Sequence, residues 1–131
     1  MRSARTHIYL GVEDADQSAL FYEALLGGPP ASRNSGITVF EFEAPPLVLT
    51  LETSPRARHA PRGAHAWWAL DVPEPERVGK AAVALRRAGA RLRLQDEGIE
   101  ARDPDGNTWK VRFVPHIKGC AVVSIREEAT R

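Results

Sequence analysis

With only one cysteine, Cys120, the chain can form no intrachain disulfide and cannot build a thiolate metal cage. It also lacks any apolar run near the roughly 20 residues that span a bilayer. The N-terminus shows no apolar core of about 7 to 15 residues such as a secretion signal needs, so a cytoplasmic protein without a membrane partner is expected. A surplus charge is missing too. Eighteen basic side chains against seventeen acidic ones leave no field to draw in nucleic acid, and small molecules remain the default partners. What is present is ordinary for a folded protein. An apolar fraction of 43% and a charged fraction of 27% argue against disorder. At 131 residues, residues 1–131 read as one domain that buries about two-thirds of its unfolded surface.

The chain is organised around the stretch from His7 to Gly28. Ile8, Leu10 and Val12 alternate with His7, Tyr9 and Gly11, the period of a strand. Asp14 then supplies a helix N-cap, with Gln17 as its capping-box partner. Ala15, Ala19, Tyr22 and Leu26 follow at helical spacing until Gly27-Gly28-Pro29-Pro30 stops the helix. The unit returns sixty positions later, Val12 falling on Val72, Asp14 on Glu74 and Leu25 on Leu85. Self-similarity at a fixed offset implies duplicated structure. In that register His7 meets Trp67, not the nearby His65.

The rest of the chain fills two modules, about 5–52 and 64–114, joined by a polar, proline-broken linker at 53–63 and followed by a tail at 115–131. The linker carries three arginines and His59, and reads as a solvated loop sooner than as a flap over a site. In the first module a short strand near Ala31–Arg33 precedes alternating strands at 37–43 and 47–52, parted by the turn at Ala44-Pro45-Pro46. In the second, a strand at 64–72 leads to a helix that buries Val78, Ala82, Leu85 and Ala88 and ends at Gly89. Strands at 90–95 and 98–102 follow, then the turn Asp103-Pro104-Asp105-Gly106 and a last strand to Val114. Arg86, Arg87, Arg91 and Arg93 read as a solvated helix end and strand face, with arginine favoured near a helix C-terminus. The apolar run Cys120–Ile125 adds an edge strand or packs on a partner chain.

Each helix needs an apolar surface to cover, and the alternation supplies one from Ile8, Phe40, Leu49, Leu70, Trp109, Val111 and their in-phase neighbours. The opposite face collects His7, Tyr9, Glu41, Glu43, Val48, Thr50, His65, Trp67, Ala69, Lys110 and Arg112. It is too polar for a dry core and too aromatic for ordinary surface, and suits the lining of a pocket.

These motifs carry a resemblance. His-x4-Val-x-Asp-x3-Ser, with Phe-Tyr and Leu-Gly in the helix, its echo Leu-x-x-Ala-Gly, and Asp-Pro-Asp-Gly-Asn-x-Trp are similar to the vicinal oxygen chelate superfamily. That group holds glyoxalase I, extradiol dioxygenases, fosfomycin-resistance proteins and bleomycin-binding proteins. The stretch from Glu43 to Glu52 also resembles the cadmium-induced and organoarsenical-lyase branch, whose paired cysteines are absent here. The resemblance implies an α+β fold of two βαβββ modules, a cup-shaped mixed sheet with helices on the convex side, and commonly a homodimer. It also implies a divalent metal held by a residue on the first strand of each module and a glutamate on the last strand.

His7 matches the first of these ligand positions. Trp67 stands at the second, where an indole nitrogen that keeps its proton cannot ligate, and Lys110 replaces the glutamate with an ammonium that repels a cation. The expectation is therefore a binding protein without a metal cofactor, similar in form to the bleomycin-binding proteins. It would hold a small aromatic or anionic molecule through His7, Tyr9, Glu41, Thr50, Trp67, Lys110 and Arg112. An internal balance of Lys110 and Arg112 against Glu41 and Glu43 is the plainer role for those charges. The alternative is a metal-dependent lyase, isomerase, thiol transferase or dioxygenase. A shifted register would then make His7 and His65 the ligands of a divalent ion such as Zn, Mn, Fe or Ni, completed by Glu41 or Glu43. A third reading is a module without small-molecule chemistry that serves regulation or assembly. No catalytic residue is assigned.

Overall fold

The computed structural model describes residues 5–54, 66–115, 117 and 122–127. The linker from 55 onward, with His59 and His65, and Cys120 in the tail lie outside the described residues. The first module runs β1 (Thr6–Val12), α1 (Ala15–Leu26), β2 (Ser32–Asn34), β3 (Ile37–Glu43) and β4 (Pro46–Thr53). The second runs β5 (Ala66–Val72), α2 (Pro75–Arg87), β6 (Leu92–Gln95), β7 (Gly98–Arg102) and β8 (Thr108–Phe113), with β9 (Val122–Glu127) added from the tail. These are the two βαβββ units of an α+β fold. They hydrogen-bond as a four-stranded sheet in the order β1-β4-β3-β2 and a five-stranded sheet in the order β6-β7-β8-β5-β9.

The offset of sixty is built into the ladders. β1 runs parallel to β4 with Ile8 beside Leu49, and β5 runs parallel to β8 with Trp68 beside Trp109. Adding sixty to 8 and 49 gives 68 and 109, so both modules share one register. His7 and Trp67 are thus equivalent positions, as are Thr50 and Lys110. The tail strand β9 lies antiparallel on the outer edge of β5, the edge-strand alternative of the two drawn from its sequence.

Local chemistry explains where the helices start and stop. The Asp14 carboxylate accepts from the Asp16 and Gln17 amides at 3.0 and 3.2 Å, and Gly27 takes a positive φ of 86° that closes α1. Glu74 makes no such side-chain cap, and α2 begins instead on Pro75, whose ring presets a helical φ. At Gly98 the constraint is spatial. A Cβ there would stand 1.8 Å from the carbonyl oxygen of Val111, so only glycine lets β7 approach β8 this closely.

The helices cover the apolar faces of the sheets and pack on each other, giving one core cluster drawn from both modules. Val12, Tyr22, Phe40, Leu49, Leu70, Leu85 and Trp109 are wholly buried in it. The strand faces follow the expected alternation, and Val78, Ala82 and Leu85 of α2 pack on the core as expected. Ala81 and Leu85 are its buried residues, Val78 and Ala82 are partly buried, and Ala88 is exposed. Ala88 departs from the expectation because α2 ends at Arg87 and Ala88 is its C-cap. Among the described residues no helix is long and apolar enough to cross a membrane.

Candidate functional site

Residues that alternate with the core positions project from the side of each sheet away from the helices. On the second module this side carries Trp67, Ala69 and Asp71 from β5 and Lys110 and Arg112 from β8. The parallel ladder sets Ala69 beside Lys110 and Asp71 beside Arg112. Ala69, the smallest of these side chains, is fully buried among longer neighbours. The Lys110 ammonium stands 4.1 Å from the centre of the Trp67 ring, and the Arg112 guanidinium carbon 5.3 Å from it. Both cations therefore lie against one indole ring, whose π-electrons attract them.

The guanidinium is also forked onto Asp71. Its Nε donates to Oδ1 at 2.8 Å and its Nη2 to Oδ2 at 3.0 Å. That hydrogen bonding, with the nearby charges of Asp71 and Glu97, raises the Arg112 pKa against the opposing effect of burial. Lys110 is placed differently. Its cross-strand neighbour Glu100 accepts from Gln95 at 2.8 Å and lies 3.9 Å from Arg93, and among the described residues Lys110 forms no ion pair. The indole Nε1–H of Trp67 is buried and meets no acceptor there.

On the first module the corresponding side carries His7, Tyr9, Glu41 and Thr50. Tyr9 lies beside Thr50 and His7 beside Val48, which in turn pairs with Glu41. Tyr9 is 65% exposed, and His7 and Glu41 are exposed too. Glu41 and Glu43 face Arg5 at 3.7 and 3.9 Å. The anticipated balance of these glutamates by Lys110 and Arg112 is thus replaced by two local pairings, Arg5 with the glutamates and Arg112 with Asp71. Among the described residues, no hydrogen bond, ion pair or ring contact joins His7, Tyr9, Glu41 or Thr50 to Trp67, Lys110 or Arg112. Sheet and register bring together Trp67, Lys110 and Arg112 on one side, and the remaining four on the other.

Asp71 was not singled out from the sequence, although it alternates with Leu70 and Val72 and so falls on the same face as Trp67. A second omission concerns Asp103-Pro104-Asp105-Gly106-Asn107, read from sequence only as a turn. Its two carboxylates are buried against α1. Asp103 accepts from the Asp105 and Asn107 amides at 3.0 and 2.7 Å, from the Asn107 side chain at 2.9 Å and from the Tyr22 hydroxyl at 2.5 Å. Asp105 accepts from the Glu13 amide at 3.2 Å and the Ser18 hydroxyl at 3.4 Å. Tyr22 also accepts from the Trp109 indole at 3.0 Å, so one tyrosine ties the helix of the first module to the last turn and strand of the second.

Burial, followed by the charge of Asp103 and the hydrogen bond to it, raises the Tyr22 pKa well above its ordinary value. The folded chain keeps this proton where the unfolded chain loses it, near pH 10. The contribution to stability is complete below about pH 10 and declines as pH rises further, because the unfolded state then binds fewer protons. Urea unfolding between pH 9 and 11 is expected to show a steeper loss of stability in the native chain than in Tyr22→Phe. Equal slopes would contradict this assignment.

The donor set can now be compared with a divalent cation. Among the described residues, no group of three His, Cys, Asp or Glu side chains is placed to hold one. At the three positions where the superfamily would hold a metal stand His7, Trp67 and Lys110, and the Lys110 ammonium lies over the indole. One imidazole, an indole N–H and an ammonium offer a single donor atom and one repelling charge, and these residues do not fit the ion. His65 lies outside the described residues.

A duplicated βαβββ chain with one shared core and a chemically mixed face on each sheet defines the class of protein. The Glyoxalase/Bleomycin resistance protein/Dioxygenase superfamily model matches residues 5–111, and the chain belongs to that superfamily. Solved structures agree in fold. A glyoxalase/bleomycin resistance protein from Albidiferax ferrireducens T118 is 25% identical, with a TM-score of 0.66 over 83% of this chain and 97% of that one. A glyoxalase-related enzyme from Fulvimarina pelagi is 24% identical, with a TM-score of 0.61 over 87% and 88%. A glyoxalase/bleomycin resistance protein/dioxygenase from Nocardioides is 23% identical, with a TM-score of 0.60 over 92% and 88%. Comparison with curated proteins gives no significant match.

Proposed function

We propose that this superfamily member binds a small anionic molecule, aromatic in its remaining part, without a resident divalent metal, and that Lys110 receives the anionic group. The observation that carries this reading is two donors at one indole: an ammonium over its ring with no carboxylate partner, and a buried ring N–H with no acceptor, both among the described residues. A buried donor left unpaired is costly, and an anion that reached both would remove that cost. Arg112 acts differently from the sequence expectation. Its fork is held by Asp71, so it lends positive field and rigidity and makes no direct grip. His7, Tyr9, Glu41 and Thr50 supply the polar and aromatic contacts of the opposing wall. That wall comes from a second copy, since no contact among the described residues joins it to Trp67, Lys110 or Arg112 within one chain. Light scattering on the same samples reports the dimer.

The test uses benzoate and 1-naphthoate, with benzamide as the neutral comparison, titrated into protein purified without chelator. A charge-assisted hydrogen bond contributes about 1.5 to 3 kcal/mol, so Lys110→Gln is expected to weaken carboxylate binding by about 10-fold to 100-fold. Benzamide should bind far less well and should be indifferent to that substitution. Carboxylate affinity that survives Lys110→Gln would defeat the proposal. So would a stoichiometric divalent ion lost on His7→Ala, which would turn the assignment to the metal-dependent enzyme.

A further inference from the structure

A cavity of about 620 Å³ opens where α1, the end of α2 and the strands β6 and β7 meet. Its apolar side is formed by Phe21, Leu92 and Ala101, and its rim by Arg91, Arg93 and Arg102 with a single acid, Glu100. Two of these arginines belong to the basic run that the sequence suggested was merely solvated. The ladder makes them less ordinary. β6 and β7 pair antiparallel with Leu92 beside Ala101 and Arg93 beside Glu100, and Arg91, the residue before β6, and Arg102, the last of β7, both line the cavity.

Arg93 has its carboxylate, 3.9 Å away on Glu100, and Glu100 is further held by Gln95. Arg91 and Arg102 have none among the described residues. The acid next in sequence to Arg102 is Asp103, which is buried and turned to Tyr22 and Asn107. Two cations at one rim repel each other, and both of these are exposed at the mouth of the cavity. An anion between them would reverse the sign of that interaction.

The geometry points to a second ligand site in this cavity, one that takes a phosphoryl group. Two guanidiniums carry two positive charges, and a phosphate dianion balances both where a single carboxylate would leave one unmatched. Guanidinium forks also match phosphate oxygens in bidentate geometry. The apolar side below the rim accepts an organic remainder, so the ligand class is a small phosphate monoester or free phosphate. Glu100 of its rim is the cross-strand neighbour of Lys110, but neither Arg91 nor Arg102 belongs to the site proposed there, and the two proposals are tested separately.

The experiment titrates inorganic phosphate and phenyl phosphate into the full chain and into Arg91→Gln, Arg102→Gln and Lys110→Gln, by calorimetry at low salt with circular dichroism as the folding check. Each rim substitution is expected to lower phosphate affinity by about tenfold or more, and added salt should weaken binding in parallel. Tighter binding of phenyl phosphate than of inorganic phosphate assigns the apolar side to an organic remainder, and equal binding assigns the site to the free ion. In phosphate-free buffer, relief of the repulsion between the rim arginines should raise the melting temperature of Arg102→Gln by about 1 to 4 °C and abolish further stabilisation by phosphate. The assignment is overturned if neither compound binds, if phosphate affinity falls only in Lys110→Gln, or if phosphate stabilises Arg102→Gln as it does the native chain.

Discussion

Asp103→Ala is expected to cost about 3 to 5 kcal/mol of folding stability, seen in urea as a lower midpoint with an unchanged slope. The carboxylate accepts from two backbone amides, the Asn107 side chain and the Tyr22 hydroxyl, all within a buried turn. Truncation leaves these donors desolvated and unmatched, which costs more than the net worth of the bonds themselves. It also severs the strongest polar tie between the helix of one module and the turn of the other. Asp103→Asn keeps one acceptor oxygen but puts an amide where a second acceptor is needed, so it should lose less, about 1 to 2 kcal/mol. A loss below 1 kcal/mol in the alanine variant would show that water or backbone relaxation replaces the carboxylate, and the inter-module role would have to be withdrawn.

The second large effect is expected at Trp109. Its indole is wholly buried, stacks on Trp68 with ring centres 5.7 Å apart at 20°, and meets Tyr22 edge-on at the same centre distance. Trp109→Ala removes this packing together with the donor to the Tyr22 oxygen, a combined cost of about 3 to 5 kcal/mol. Trp109→Phe preserves much of the packing and loses the N–H, so its smaller cost isolates the hydrogen bond. Because Trp109 and Asp103 act on the same tyrosine, the double alanine variant should be less destabilised than the two single losses added together. Strict additivity in the thermodynamic cycle would mean that Tyr22 does not couple them.

Much of the scaffold was legible in the sequence because its signals are local or periodic. Asp14 as a cap, Gly27 and Gly89 as stops and the alternation through Leu47, Leu49 and Leu51 depend on neighbours in the chain. The repeat at sixty added a long-range fact, since one offset predicts two ladders at once. Asp71 is the partner of Arg112 across a parallel ladder, 41 residues away, and Asp103 meets Tyr22 across 81. Nothing in local spacing announces such pairings. Ala88 was misplaced because α2 ends one residue before it, at Arg87. The contacts of Trp67 with Lys110 and Arg112 were half visible, the shared face from alternation and the stacked cations only from coordinates.

The twin ladders have a consequence for how such a chain can diversify. At matched positions the halves agree where they face the helices, Leu10 with Leu70 and Val12 with Val72. On the other side they disagree in kind: His7 with Trp67, Gly11 with Asp71, Thr50 with Lys110, Glu52 with Arg112. Strand length and spacing are therefore held to single-residue accuracy, since one insertion would turn a strand inside out. The outward palette, by contrast, is free to be rewritten letter by letter, which makes this face the natural canvas for grafting new recognition chemistry onto an unaltered frame.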